Sequence, residues 1–577
     1  MNNFNIAQYL PEMARTAPER AAVVCTHRAD ARGRTALNFR ELNQDSDRYA
    51  SGLSRIGIEP EQRVLLMVWP GLEFITLAFA LFKLGAVPVL IDPGMGKKNL
   101  FDCIRQSRPD ALVAVPRAHA ARVLSRHDAF KNIRIHVTVG RRWFWGGFTL
   151  KQVDSLGEPG EYKIAATTRE SSAAILFTTG STGVPKGVLY THGMFRAQVE
   201  SIRQQYGIEA GEVDLAAFPL FALFDSAFGT TCIIPDMDPT RPAECDPEKI
   251  VRAIQTHKVT YTFGSPAIWK RVGPYCLKNK ISLPSLKRIL MAGAPIRGEV
   301  LAPFPAILGP NADTHIPYGA TEALPMTSIR GSEVLSETWA LTQQGKGHCV
   351  GTPLNGISVR IIAADNDSCI WDESRILPQG QIGEIVVQGA MVTHEYFDAP
   401  GATRLAKITE PGSKAIWHRM GDMGYIDEKG RLWFCGRKAH RVRMKESKTL
   451  YSVCVEALFE EGFRHGLPPG HQDLQLRAAL VGVGTSGNQR PVILFEDPYG
   501  LDTGGVGVFW DVNNFVRWWQ NNEVASEVEF VDFYGRFPVD IRHNAKINRE
   551  QLALWATHNF TKFRTFSIRK LKKKIRN

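Results

Sequence analysis

Short apolar runs recur along the chain, and most are separated by mixed stretches long enough for a helix. Runs at 63–68, 111–115, 173–177, 261–263, Arg288–Met291 and 382–387 read as strands. This alternation predicts an α/β chain with largely parallel sheets. The most apolar region, 64–91, is interrupted by Pro70, Glu73, Lys83 and Pro88. No uncharged apolar run of about 18 residues survives there, so it does not read as a membrane span. It predicts a buried helix over Leu72–Leu84 and a short strand at Val87–Ile91. After Phe434 the sequence GRKAHRVRMKESK is charged and turn-rich. A second α/β pattern follows, with a helix over 454–460 and a strand at Ala478–Val483. The change of pattern places a domain boundary near Gly436, giving a large domain 1–436 and a small domain 437–577.

Composition adds one feature. With 44% hydrophobic and 22% charged residues, the 577-residue chain is globular, which excludes a fibrous or wholly disordered protein. The unusual figure is 70 basic against 58 acidic residues, a net +12 that suits nucleic acid, an anionic membrane or a phosphate-bearing substrate. The last 16 residues, KFRTFSIRKLKKKIRN at 562–577, supply eight basic and no acidic side chains. The excess is therefore mostly one tail, which is either solvated or meets anionic lipid or an acidic partner. No helix-turn-helix, finger or RNP string appears, so nucleic acid is not expected. Nine scattered cysteines without a CxxC pair predict free thiols in a reducing cytoplasm and no zinc site. The N-terminus lacks a basic stretch followed by an apolar core, so a cytoplasmic chain is expected, with the tail as a peripheral contact to the inner membrane face. The string RRWFWGGF at 141–148 is either a packed aromatic cluster or a membrane- or partner-facing loop.

The sharpest chemical signal follows the apolar run at 173–177. It comprises Thr178, Thr179, Gly180, Ser181, Thr182, Gly183, Val184, Pro185, Lys186 and Gly187. Glycines let the backbone turn and expose its amides, while hydroxyls and a lysine add donors for phosphate oxygens. It is not a Walker A loop, because Gly187 rather than Ser or Thr follows Lys186. Composition alone leaves a plain Gly/Ser/Thr surface turn equally open.

The string TTGSTGVPKGV closely resembles the phosphate loop of the adenylate-forming superfamily, which includes acyl-CoA synthetases, luciferases and nonribosomal-peptide adenylation domains. Further motifs follow in the family's order over nearly the whole chain. Gly293, Ala294 and Pro295 after a strand resemble the adenine-side loop. Tyr318-Gly319-Ala320-Thr321-Glu322 resembles the next motif. There the resemblance implies an aromatic on adenine, a Thr on the α-phosphate and a Glu holding Mg²⁺. Asp422, after Gly421, resembles the ribose-binding acid, and Arg437, after Gly436, the start of the hinge. The segment PVDIRHNAKINR resembles the motif carrying the adenylation lysine, here Lys546.

The resemblance implies an α/β fold with a large N-terminal domain of stacked α/β subdomains and a small mobile C-terminal α+β domain. It implies ATP and Mg²⁺, and attack of a substrate carboxylate on the α-phosphorus with Thr321, Glu322 and Lys546 as catalytic residues. The chain departs from the family pattern where an Asp or Lys usually stands in the hinge and Ala439 stands here. It also departs where a His often follows Pro-Leu-Phe, at Ala222. Phe218, Phe221, Ala222 and Phe224 are expected to wall an apolar acyl pocket suited to a lipid-like chain. With FALFD and YGATEALP, the chain most resembles the branch of β-lactone synthetases in long-chain olefin biosynthesis. That branch implies a 2-alkyl-3-hydroxyalkanoic acid as substrate, its own β-hydroxyl as acceptor, no CoA, and other olefin-pathway enzymes as partners. A long-chain acyl-CoA or acyl-carrier-protein ligase shares the same adenylation residues. A non-catalytic nucleotide- or lipid-binding relative is the third reading, disfavoured by Glu322, Asp422 and Lys546.

Overall fold

The computed structural model describes residues 3–178, 185–365, 367, 370–413, 415–467, 476–497, 511–539, 547–559 and 566–567. The apolar run at 72–84 forms a helix over Leu72–Leu84 with every side chain buried except Glu73, and Gly85 in the left-handed region ends it. Its one buried cation, Lys83, is paired with Asp47 at 2.6 Å and bonded to Asn43, so the charge that broke the apolar run is neutralised in the core. Strand Val87–Ile91 follows.

That strand lies in a seven-stranded sheet. Its order is Phe148–Thr149, Ile135–Thr138, Ala111–Ala114, Arg63–Met67, Val87–Ile91, Ser172–Thr178 and Lys186–Thr191. All neighbours are parallel except the last two, which form an antiparallel hairpin with Thr178 opposite Lys186. A second, larger sheet has a parallel portion made of Ala21–Cys25, Thr231–Ile234, Val213–Ala216, Tyr261–Gly264, Arg288–Met291 and Asp313–Ala320. From Asp313–Ala320 onward every pairing in it is antiparallel. The expectation of largely parallel sheets therefore fails for this half. The change of direction starts at a connection too short for a crossover helix: only Thr321 and Glu322 separate Asp313–Ala320 from Ala323–Arg330.

A two-stranded sheet pairs Val442–Arg443 with Thr449–Leu450, and a four-stranded one pairs Ala478–Val483, Arg490–Glu496, Phe530–Tyr534 and Phe566–Ser567. Helices Ser452–Arg464 and Val512–Asn521 share one apolar core with it, and Arg549–Asn559 contributes to another. These elements meet the rest through Arg297 on Glu460 (2.7 Å) and Arg464 on Glu299 (3.3 Å). The eight described cysteines are all free and buried. Among the described residues no helix is long and apolar enough to cross a membrane.

Candidate active site

A cavity of about 890 Å³ runs between the two large sheets and the C-terminal elements. One end is apolar and is walled by Phe79, Phe82, Phe195, Phe218, Phe221, Phe224 and Phe263. Phe221 stacks on Phe263 at 3.8 Å between centroids, and Phe195 meets Phe224 edge-on. Of the four expected pocket residues, Ala222 does not line the cavity. It opens helix Ala222–Phe228 with its side chain in the core behind the wall, while neighbouring Leu220 and Leu223 face the cavity. Ala222 therefore lies behind the pocket wall rather than in it, which corrects that expectation. Asp225 of the same helix is buried, and accepts from the hydroxyls of Tyr261 (2.7 Å) and Thr230 (3.0 Å).

The polar end is built from strand termini. Thr321 and Glu322 are the two-residue tip of a hairpin, with Ala320 opposite Ala323, so both project beyond the sheet. The Tyr190 hydroxyl donates to the Thr321 carbonyl, and Gln198 Nε2 donates to the Leu324 carbonyl, fixing the tip against the neighbouring sheet. Gly293, Ala294 and Pro295 follow strand Arg288–Met291, and with Tyr318 and Gly319 they line the same wall. Gly293 has φ +100°, a left-handed turn that suits glycine. The Tyr318 hydroxyl donates to Asp422 Oδ2 at 2.7 Å, and Arg437 pairs with Oδ1 at 3.0 Å. Asp422 and Arg437 are cross-strand partners. The Asp422 charge holds the Arg437 guanidinium firmly protonated, and burial beside that carboxylate pushes the Tyr318 phenol well up.

Glu322 has a neighbour that no local motif announces. The Tyr396 hydroxyl donates to its Oε1 at 2.6 Å. Tyr396 is positioned by a bridge to Val188 and by the Phe397 amide on the Gly187 carbonyl (2.7 Å). The Lys186 ammonium lies 4.9 Å from the Tyr396 ring centre. Behind them Lys407 donates to the carbonyl and hydroxyl of Thr393, whose amide and hydroxyl both donate to the Glu322 carbonyl. Burial lowers the Lys407 ammonium to about 7, partly opposed by Glu322. His418, opposite Lys407 on the adjoining strand, is held neutral by burial and by Lys407.

The structure thus brings Lys186, Gly293, Ala294, Pro295, Tyr318, Gly319, Thr321, Glu322, Asp422 and Arg437 to one cavity with Phe218, Phe221 and Phe224. Thr178 closes the strand opposite Lys186. Thr179, Gly180, Ser181, Thr182, Gly183, Lys546 and nearly all of the basic tail lie outside the described residues. Ile547 and Arg549, just after Lys546, line the cavity, and Arg549 is clamped by Glu456 in a two-pronged ion pair. At the expected hinge, Lys438 is tied to buried Glu384 at 3.0 Å, Ala439 faces the cavity, and His440 meets Glu550 at 3.2 Å.

Residues 10–397 match the family model described as AMP-binding enzyme. The chain belongs to that family and is an ATP-dependent adenylate-forming ligase. It is similar, at 44% identity over 97% of its length and 99% of the relative's, to the olefin beta-lactone synthetase of Stenotrophomonas maltophilia. It is equally similar (44%, covering 96% and 97%) to that of Xanthomonas campestris pv. campestris. Among solved structures, the amide bond synthetase McbA from Marinactinospora thermotolerans superposes with a TM-score of 0.74 at 22% identity, covering 95% of this chain and 99% of that one. That likeness bears on the fold alone.

Proposed function

We propose that the chain activates a long-chain 2-alkyl-3-hydroxyalkanoic acid with ATP and closes it to a β-lactone in long-chain olefin biosynthesis. The observation that carries this is one continuous cavity joining a phenylalanine-walled pocket to the Tyr318–Asp422–Arg437 and Glu322–Tyr396 clusters. The names of the two relatives at 44% identity point to the lactone.

In this reading a carboxylate oxygen of the acid bonds to the α-phosphorus of ATP as the bond to pyrophosphate breaks. The chain supplies placement and charge rather than a covalent nucleophile. Tyr318 offers a π-face to adenine with Gly293, Ala294 and Pro295 alongside. Asp422 keeps its bonds to Tyr318 and Arg437 and accepts from ribose hydroxyls with its remaining lone pairs. The loop from Thr178 to Lys186 holds the leaving phosphates, Thr321 the α-phosphate, and Lys546 bridges carboxylate and phosphate as negative charge gathers. The β-hydroxyl oxygen then bonds to the adenylated carbonyl carbon. The bond from that carbon to the AMP oxygen breaks, and AMP and the hydroxyl proton leave.

The donor set suits Mg²⁺. Glu322 offers a hard carboxylate beside the phosphate-binding loop, and its Oε2 makes no hydrogen bond among the described residues. No cluster of three His, Cys, Asp or Glu occurs among those residues. That matches a cation carried mainly by phosphate and water oxygens with one protein ligand. Bound there, Mg²⁺ would neutralise phosphate charge, with Glu322 holding it and Tyr396 orienting Glu322.

We further propose that 1–436 and 437–577 are the two domains, the second carrying Lys546 to the cavity, in a cytoplasmic chain. Other enzymes of the same biosynthesis are its proposed partners, and the tail at 562–577 is a peripheral contact to anionic membrane or an acidic protein. Lys546→Ala tests the first half-reaction. Acid-dependent pyrophosphate release should fall to background while the melting midpoint holds, and near wild-type release would refute the role.

A further inference from the structure

The basic excess outside the C-terminal tail is not spread evenly. Residues 111–152 carry eight Lys and Arg against one Asp. They form one edge of the seven-stranded sheet, comprising three strands from Ala111–Ala114 to Phe148–Thr149, helix Pro116–Ser125 and the loop at 140–147. None of the eight cations forms an ion pair among the described residues. Elsewhere the pattern differs: Arg32, Arg34 and Arg48 all converge on Asp45. The uncompensated charge therefore belongs to this edge.

The same edge carries exposed aromatic rings on a firmly held loop. Trp145 is 5% exposed, stacks on His119 at 5.5 Å, and its indole N–H donates to Thr138 Oγ1 at 2.9 Å. Arg142 donates to the Gly147 carbonyl. Gly147 has φ +93°, and a Cβ there would lie 2.5 Å from the His136 carbonyl, so the loop can return this closely only with glycine. With Trp145 pinned inward, Trp143 and Phe144 point out, 53% and 66% exposed, beside Arg141 and Arg142.

We propose that this edge docks on an anionic lipid surface, with Trp143 and Phe144 entering the headgroup region and the surrounding cations meeting lipid phosphates. Amphipathic and aromatic rings gain most at that depth, where an apolar body leaves water and charged neighbours stay at the headgroups. Unpaired arginines and lysines add attraction that needs no sequence-specific partner. A nucleic acid fits less well. The rings of Trp143 and Phe144 are tilted 49° and 75° to Trp145, so they offer edges and corners rather than a flat stacking platform for bases. None of these exposed residues lines the cavity, so the proposal stands independently of the substrate assigned above.

Sedimentation of the full-length chain with vesicles tests this. Vesicles of phosphatidylcholine with about one-quarter phosphatidylglycerol, at about 0.15 M salt, are compared with phosphatidylcholine alone. Wild type should pellet with the anionic vesicles only and be released by high salt. Trp143→Ser with Phe144→Ser, and separately Arg141→Glu with Arg142→Glu, should each lower the bound fraction by roughly five-fold or more with an unchanged melting midpoint. If both double variants sediment like wild type, the contact lies elsewhere and the proposal fails. Failure of wild type to sediment with anionic vesicles, or tighter binding to a single-stranded oligonucleotide than to vesicles, also overturns it.

Discussion

Tyr396 and Glu322, 74 residues apart in sequence, are joined by a 2.6 Å hydrogen bond from the phenol to Oε1. Strand Lys186–Thr191 makes the meeting. Val188 bridges Tyr396, Gly187 accepts from the next amide, and Lys186 sits over the ring. Hydrogen bonds to charged groups contribute about 1.5–3 kcal/mol. Tyr396→Phe should therefore lower kcat/KM for pyrophosphate release by roughly 10- to 100-fold and shift the Mg²⁺ dependence to higher concentration. An unaltered Mg²⁺ midpoint would show that the phenol does not orient Glu322.

The histidines set the acid limit of stability. Burial lowers His136, His192, His315, His348 and His440 to about 4. In the unfolded chain they titrate near 6.5. Between these values the unfolded state binds more protons, so their contribution is complete above about 6.5 and is lost as pH falls toward 4. Asp225, raised to about 6 by burial, works in the opposite sense and offsets part of this. Unfolding free energy from urea titrations should decline between pH 7 and pH 5, before most carboxylates titrate. His192→Gln, which removes the ring accepting the Ile6 amide, should make that decline shallower. A flat wild-type profile over this range would contradict the assignment.

Asp225 anchors the phenylalanine-lined wall of the cavity. Its carboxyl accepts from Tyr261 and Thr230, and its backbone carbonyl from the Thr230 amide, closing helix Ala222–Phe228. Asp225→Ala takes the shared carboxylate acceptor from two buried hydroxyls, leaving them each other at 2.9 Å and the backbone carbonyl of residue 225, and should cost about 1–3 kcal/mol. Asp225→Asn, which keeps an acceptor oxygen, should cost less than half of that. Chemical denaturation of the two variants decides it, and equal losses would show that the hydroxyls find other partners.

What the sequence made legible divides along physical lines. Leu72–Leu84 and Val87–Ile91 carry the residue pattern of their surroundings, so periodicity and the charged break at Lys83 suffice to place them. Thr321, Glu322 and Asp422 sit in short strings whose chemistry can be named from residue type. Tyr396 and Lys407 could not be found this way. They meet Glu322 only in the folded chain, Tyr396 through its bridge to Val188 and Lys407 through Thr393, and an isolated Tyr in HEYFD or Lys in LAKI looks like an ordinary surface or core residue. The antiparallel half of the large sheet was hidden for a related reason, since strand direction depends on connection length more than on apolar runs. Ala222 was misplaced because counting along FPLFALFD does not tell which face of the coming helix meets the cavity.

The account's central claim is that the acceptor for the activated acyl group is the substrate's own hydroxyl. Mass spectrometry of the products from ATP, Mg²⁺ and a 2-alkyl-3-hydroxyalkanoic acid, with and without CoA, tests it most directly. The account predicts a product lighter than the acid by one water, formed with stoichiometric AMP and indifferent to CoA. No turnover until CoA is added, with a thioester as product, would contradict it and identify a thiol ligase instead.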